Sequence, residues 1–140
     1  MISHGLLQAL FGFNQAMNDR LWTIIMEHLS EAQFVQTDGY SQGSIRNQMV
    51  HMADAQHYWL RGLLNRKDLP ELEAEDYATR EAARAVCRQA DQACLDAVRA
   101  LTEADVERVP DGWSQPVWVG LVQLAHHGTD HRAQILRALH

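Results

Sequence analysis

Residues 45–66 read IRNQMVHMADAQHYWLRGLLNR. Ile45, Met49, Met52, Trp59, Leu60 and Leu63 recur there near helical spacing, which predicts an amphipathic helix. The turn-rich stretch TDGYSQGS at 37–44 precedes it, and Ser44 is placed to cap it. The same period returns in three other segments. Residues 6–29 carry Leu6, Leu10, Phe13, Met17, Leu21, Ile24, Ile25 and Leu29, with Ser3 as a cap. Residues 79–103 carry Ala83, Cys87, Ala90, Cys94, Ala97 and Leu101, a stripe small enough to let a neighbouring helix come close. The last segment opens near Pro116, a residue suited to a first helical turn, and continues through Leu121, Leu124, Gly128, Ile135 and Leu139. Strand-like alternation hardly occurs. Four such helices predict an all-α four-helix bundle.

The connections narrow the order of the helices. The link NRKDLPELEAEDY spans 65–77. A dozen extended residues reach about 40 Å, enough to run back along a 22-residue helix of about 33 Å. A long crossover between the second and third helices, giving up-down-down-up order, is the expectation. With 140 residues the chain is read as one domain, 1–140.

Composition removes several function classes. Twelve Lys+Arg against eighteen Asp+Glu give a net charge of −6, which disfavours binding to nucleic acid through phosphate attraction. The longest apolar runs, LWTIIM at 21–26 and VWVGLV at 117–122, are too short to span a bilayer, so no membrane partner is expected. MISHGLLQALFGFNQ has no basic start and no small-residue cleavage site, the reading of a cytoplasmic protein without a secretory signal. Cys87 and Cys94, about 10.5 Å apart along one helix, cannot bridge each other and read as reduced core residues.

Eight histidines are the compositional oddity. His127 and His131 are four apart and share the edge of the fourth apolar stripe. Two imidazoles at that spacing can grip one metal ion, although HGTDH lacks the glutamate of a zincin. A third ligand must come from another helix, and His51 flanks the second helix's stripe in the same way. His126 points to the polar side. His57 is expected on a solvated flank, and His4, His28 and His140 at the surface or ends. A histidine at the margin of an apolar stripe is, in general, more often a hydrogen-bonded residue than a ligand.

SQGSIRNQMVHMADAQHYWLRGL (41–63) followed by LVQLAHHGTDHRAQIL (121–136) resembles the DinB-like superfamily, the damage-inducible, YfiT-type bundles. The resemblance spans nearly the whole chain, including spaced asparagines Asn14 and Asn18 and a late HxxxHR. It implies a metal-binding bundle of up-down-down-up order with one divalent ion held by His51, His127 and His131. Zinc or nickel is the first expectation, with iron or copper as alternatives. It further implies a small-molecule substrate, frequent homodimers, and relatives that include metal-dependent hydrolases and S-transferases using a low-molecular-weight thiol. Family members often continue beyond the HxxxHR helix, so the cleft here is expected to be more open.

Around the implied metal, Asp54 lies one turn from His51 and Tyr58 one heptad on. Both are candidates for a proton-handling group, against a solvated carboxylate and a packing tyrosine respectively. Arg132 falls within an inward stripe, so its charge needs a partner or must snorkel outward, and a structural ion pair or end-of-bundle hydrogen bonds are expected over substrate contact. Asn14 and Asn18 share a face that either bonds the 36–44 loop or lines the cleft. Trp113 and Trp118 are read as hairpin packing, dimer contact or pocket wall. Two functional readings follow: a metal-dependent enzyme, either hydrolase or thiol S-transferase, or a non-catalytic metal-binding or interaction bundle.

Overall fold

The computed structural model describes residues 2–140. Among these the chain is all-helical, with four long helices: α1 (His4–His28), α3 (Ile45–Leu64), α4 (Arg80–Arg99) and α6 (Val117–Ala138). Two short helices, α2 (Glu31–Val35) and α5 (Glu103–Glu107), occupy connections that the apolar period leaves as turns. Their starts have a local cause. Ser30 with Gln33, and Thr102 with Asp105, form reciprocal capping boxes.

The long helices begin where side chains can accept orphan amides. Ser3 accepts from Leu6 N at 3.2 Å and Ser44 from Asn47 N at 3.0 Å. Pro116 lies just outside α6 as its cap residue rather than within its first turn. Asn65, in the left-handed region at φ 55°, ends α3.

Each long helix packs against two others: α3 against α4 and α6, and α1 against α4 and α6. Along α1 and α4, His4 meets Val98, Asn18 meets Asp91 and Arg80 meets the Met26 and Leu29 carbonyls. Between α3 and α4, Cys87 bonds the Met49 carbonyl and Gln56 bonds Asp91. The 65–79 link returns along α3. Arg61 Nη1 donates to Leu69 O, the His57 ring meets Pro70 O at 2.8 Å, and Leu72 N donates to Asp54.

The core is divided in two. Leu7, Phe11, Leu60, Leu63, Val98 and Leu121 belong to one apolar cluster. Trp22, Ile25, Phe34, Met49, Cys87 and Ile135 belong to the other. Between them, at the levels of α1 residues 14–18 and α6 residues 127–132, runs a layer of buried polar side chains that includes Asn14, Asn18, Gln48, Asp91, His131 and Arg132. Buried polar groups are tolerable only when partnered, so this layer is where the fold spends hydrogen bonds rather than apolar area.

Three sequence expectations are corrected by packing. The buried face of α1 is Leu7, Phe11, Asn14, Asn18, Leu21, Trp22 and Ile25, not the row through Leu6, Phe13 and Ile24, which is exposed. Apolar residues nearly encircle α1, and the face that turned inward is the one whose asparagines partner Arg132. His57 is buried rather than solvated, because the returning link covers it and offers the Pro70 carbonyl. His4 is half-buried, with Nε2 2.7 Å from Val98 O. Cys87 and Cys94 are free and buried, as expected.

Candidate metal centre

His51 comes from the second turn of α3, and His127 and His131 from successive turns of α6. His127 Nε2 lies 3.1 Å from both His51 Nε2 and His131 Nε2. The three ring centroids are 4.4–4.9 Å apart and the rings stand edge to face. The sequence-predicted trio therefore meets across the α3–α6 seam, and its ligand atoms all fall within 4.8 Å of one another.

One contact decides what these nitrogens can do. His131 Nδ1 donates to Gln48 Oε1 at 2.6 Å. A neutral imidazole with its proton on Nδ1 presents a bare lone pair at Nε2. His127 Nε2 faces that nitrogen and the Nε2 of His51, and has at most one proton to share. Three imidazole nitrogens converging in this way are a donor set that a cation can bridge. A tetrahedral zinc with bonds of about 2.0–2.1 Å places ligand nitrogens about 3.3 Å apart, close to the spacing here. The donor set thus fits a divalent ion, and three imidazoles leave a position open.

Electrostatics agree with neutral rings. Burial lowers the His127 pKa to about 4, helped by the neighbouring His131 and His51. Burial also lowers His51, against the Asp54 carboxylate, which raises it. It lowers His131 too, with His51 adding to the effect. Neutral imidazoles are the form that binds metal.

Asp54 Oδ1 accepts from Leu72 N at 2.9 Å. Together with His51 it lines a cavity of about 250 Å³ whose rim carries Glu73 and Glu75. Tyr58 is placed otherwise. It is 61% exposed, its ring stands edge-on to Trp59, and none of the three imidazoles is stacked with it.

Behind His127 lies the polar layer. Arg132 Nη1 donates to Asn18 Oδ1 at 3.0 Å and Nη2 to Asn14 Oδ1 at 2.5 Å. Asn18 Nδ2 in turn donates to Asp91 Oδ1 at 3.1 Å, as does Gln56 Nε2 at 2.7 Å. Asn18 therefore links the buried cation to the buried anion without a direct ion pair. The asparagines line a small cavity beside His127 and make no bond to the 36–44 loop. Gln48, Gln56 and Asp91 escape the reading of the sequence. The available signal was a polar residue at a buried helical phase, as with Asp91 beside Ala90 in an alanine and cysteine stripe.

No curated protein matches the chain. Among the described residues no helix is long and apolar enough to cross a membrane. The sequence model of the DinB family matches residues 1–140, the whole length over which the three histidines and their supporting layer are distributed. The chain belongs to the DinB family.

Proposed function

We propose that residues 1–140 form one bundle domain of up-down-down-up order in which His51, His127 and His131 hold a single zinc- or nickel-like ion. We further propose that the protein is a metal-dependent enzyme of the thiol S-transferase or hydrolase class. The helix order is supported by the pairings His4–Val98, Gln56–Asp91 and Gln48–His131 and by the link returning along α3. The observation that carries the metal reading is the convergence of three Nε2 atoms with the His131 tautomer set by Gln48.

When bound, a divalent ion supplies Lewis acidity, lowering the pKa of a thiol or water in its open position. The chain's residues do the rest. Gln48 orients His131 and keeps its lone pair inward. Asp54 is held at the mouth by Leu72 N–H through one oxygen, and the other oxygen is the candidate to receive the proton that a bound thiol or water gives up. The cavity beside His51 admits a small molecule. Thiol chemistry is preferred over hydrolysis on family resemblance. Homodimerisation is supported by the apolar side chains α1 leaves exposed, Phe13 and Ile24, with Leu136 of α6 beside Ile24.

Tag-free protein tests the reading. Elemental analysis is expected to find about one divalent ion per chain, in line with a three-imidazole site. A small thiol and a chlorodinitrobenzene should be turned over only with that ion present and His51 intact. Protein that holds no stoichiometric metal overturns it.

A further inference from the structure

Farther along the α3–α6 seam lies a cleft that the metal chemistry does not use. Trp59 and Trp113 wall it, with ring centroids 5.6 Å apart and planes tilted by 43°. Val119, Gly120 and Gln123 of α6 close the other side, and the volume is about 290 Å³. Its lining contains no charged side chain among the described residues. The cavity beside His51 is the opposite case, lined by Asp54, Glu73 and Glu75.

The cleft is built into the packing. Trp113 follows a turn closed by its own N–H on Pro110 O at 3.0 Å, with Gly112 at φ +79°. Its indole sits in a notch at Gly62, where a Cβ would stand 2.9 Å from Cζ2. Both tryptophans remain only half-buried. A wall of two packed aromatic rings facing an uncharged space is one that planar apolar groups select.

The cleft lies along the same pair of helices as the histidines. His51, Ala55 and Trp59 are spaced four apart on α3, and His127, Gln123 and Val119 four apart on α6, so each set follows one helix face. The contacts His51–His127 and Leu63–Gly120 run in opposite senses along the two helices, so both rows recede together. Eight residues of α3 separate Trp59 from His51, a rise of about 12 Å along the helix.

We propose that the Trp59–Trp113 cleft is a second subsite of the same active site and takes an uncharged, planar aromatic group of the substrate. That group lies about 12 Å along the seam from the three-histidine centre. The substrate class is therefore an elongated molecule with its reacting group at one end and an apolar ring at the other. This rests on the metal reading above.

The test uses zinc-loaded, tag-free protein and a series of phenyl-capped alkanethiols of increasing linker length, with plain alkanethiols of equal length as controls. Affinity is read by calorimetry and occupancy of the cleft by tryptophan quenching. The phenyl cap is expected to add about tenfold or more in affinity once the linker spans about 12 Å, and nothing when the linker is short. Trp113→Ala, which opens the cleft, and Val119→Phe, which fills it, should each cancel that gain while zinc affinity stays unchanged. A gain absent at every length, or surviving in both variants, overturns the proposal while the metal reading stands. Absence of stoichiometric zinc overturns the metal reading and this proposal with it. A change of oligomeric state in both variants, with no phenyl-dependent gain, assigns the cleft to a second copy and also overturns it.

Discussion

His131 Nδ1 donates to Gln48 Oε1 at 2.6 Å, a bond between α6 and α3 made at the level where the apolar core gives way to polar side chains. It fixes which nitrogen of His131 is free. Gln48→Ala should therefore weaken metal binding by about 10–100-fold while leaving the helices folded. Competition against a chelator, with circular dichroism as control, measures it. Unchanged affinity would mean that the orientation of His131 comes from packing alone.

His131→Ala removes a ligand and leaves two. Stoichiometric zinc should be lost, together with the added stability that a ligand confers, about 4 kcal/mol at a thousandfold excess over Kd. Thermal melts with and without zinc separate for the native chain and coincide for the variant.

Metal-free protein should lose stability as pH falls from 6.5 towards 4. His127, brought down to about 4 chiefly by burial, stays neutral in the folded chain while the unfolded chain takes up protons. His51 and His131 are lowered in the same direction by burial. The unfolded state binds more protons in that window, so stability rises with pH through it and levels off above 6.5. Zinc affinity should decline over the same acid range. Denaturant midpoints between pH 4 and 7.5 without metal, taken in an Asp91→Asn background that removes an opposing carboxyl, check the sign, and a flat profile there would contradict neutral rings.

Asp91 predicts the opposite slope. Burial raises its pKa to about 6, against hydrogen bonds from Gln56 and Asn18. Its stabilising contribution is present below the unfolded value near 3.8 and is lost as pH rises through about 6. Asp91→Asn keeps an acceptor for Asn18 and Gln56 and removes the buried charge. It should gain up to about 3 kcal/mol over the native chain at pH 7.5, with the advantage vanishing near pH 4. Paired denaturant curves at the two pH values measure the crossover.

Ile24→Glu places a charge on the exposed apolar row of α1. If that row joins two copies, the variant sediments as a monomer where the native chain does not, with an unchanged melt at low concentration. Identical sedimentation would remove this face from the interface.

Periodicity, caps and spacing were enough to define four long helices, to pair His127 with His131, and to nominate His51. Those properties are local: a helix period, a hydroxyl one residue before an amide-rich turn, and a shared face every fourth residue. Which face of α1 turns inward was not local, since apolar residues nearly encircle it. The choice fell to Asn14 and Asn18 because Arg132, on another helix, needs their oxygens. His57 likewise became a core residue only once the 65–79 link had folded back over it. Gln48, Gln56 and Asp91 carry no motif and acquire their roles from the residues opposite them. The same holds for the cleft that Trp59 and Trp113 wall, where Gly62 makes room for an indole from a distant turn. Local chemistry determines which elements form and which residues are able to bind a metal. Desolvation across helices decides which polar groups must find one another.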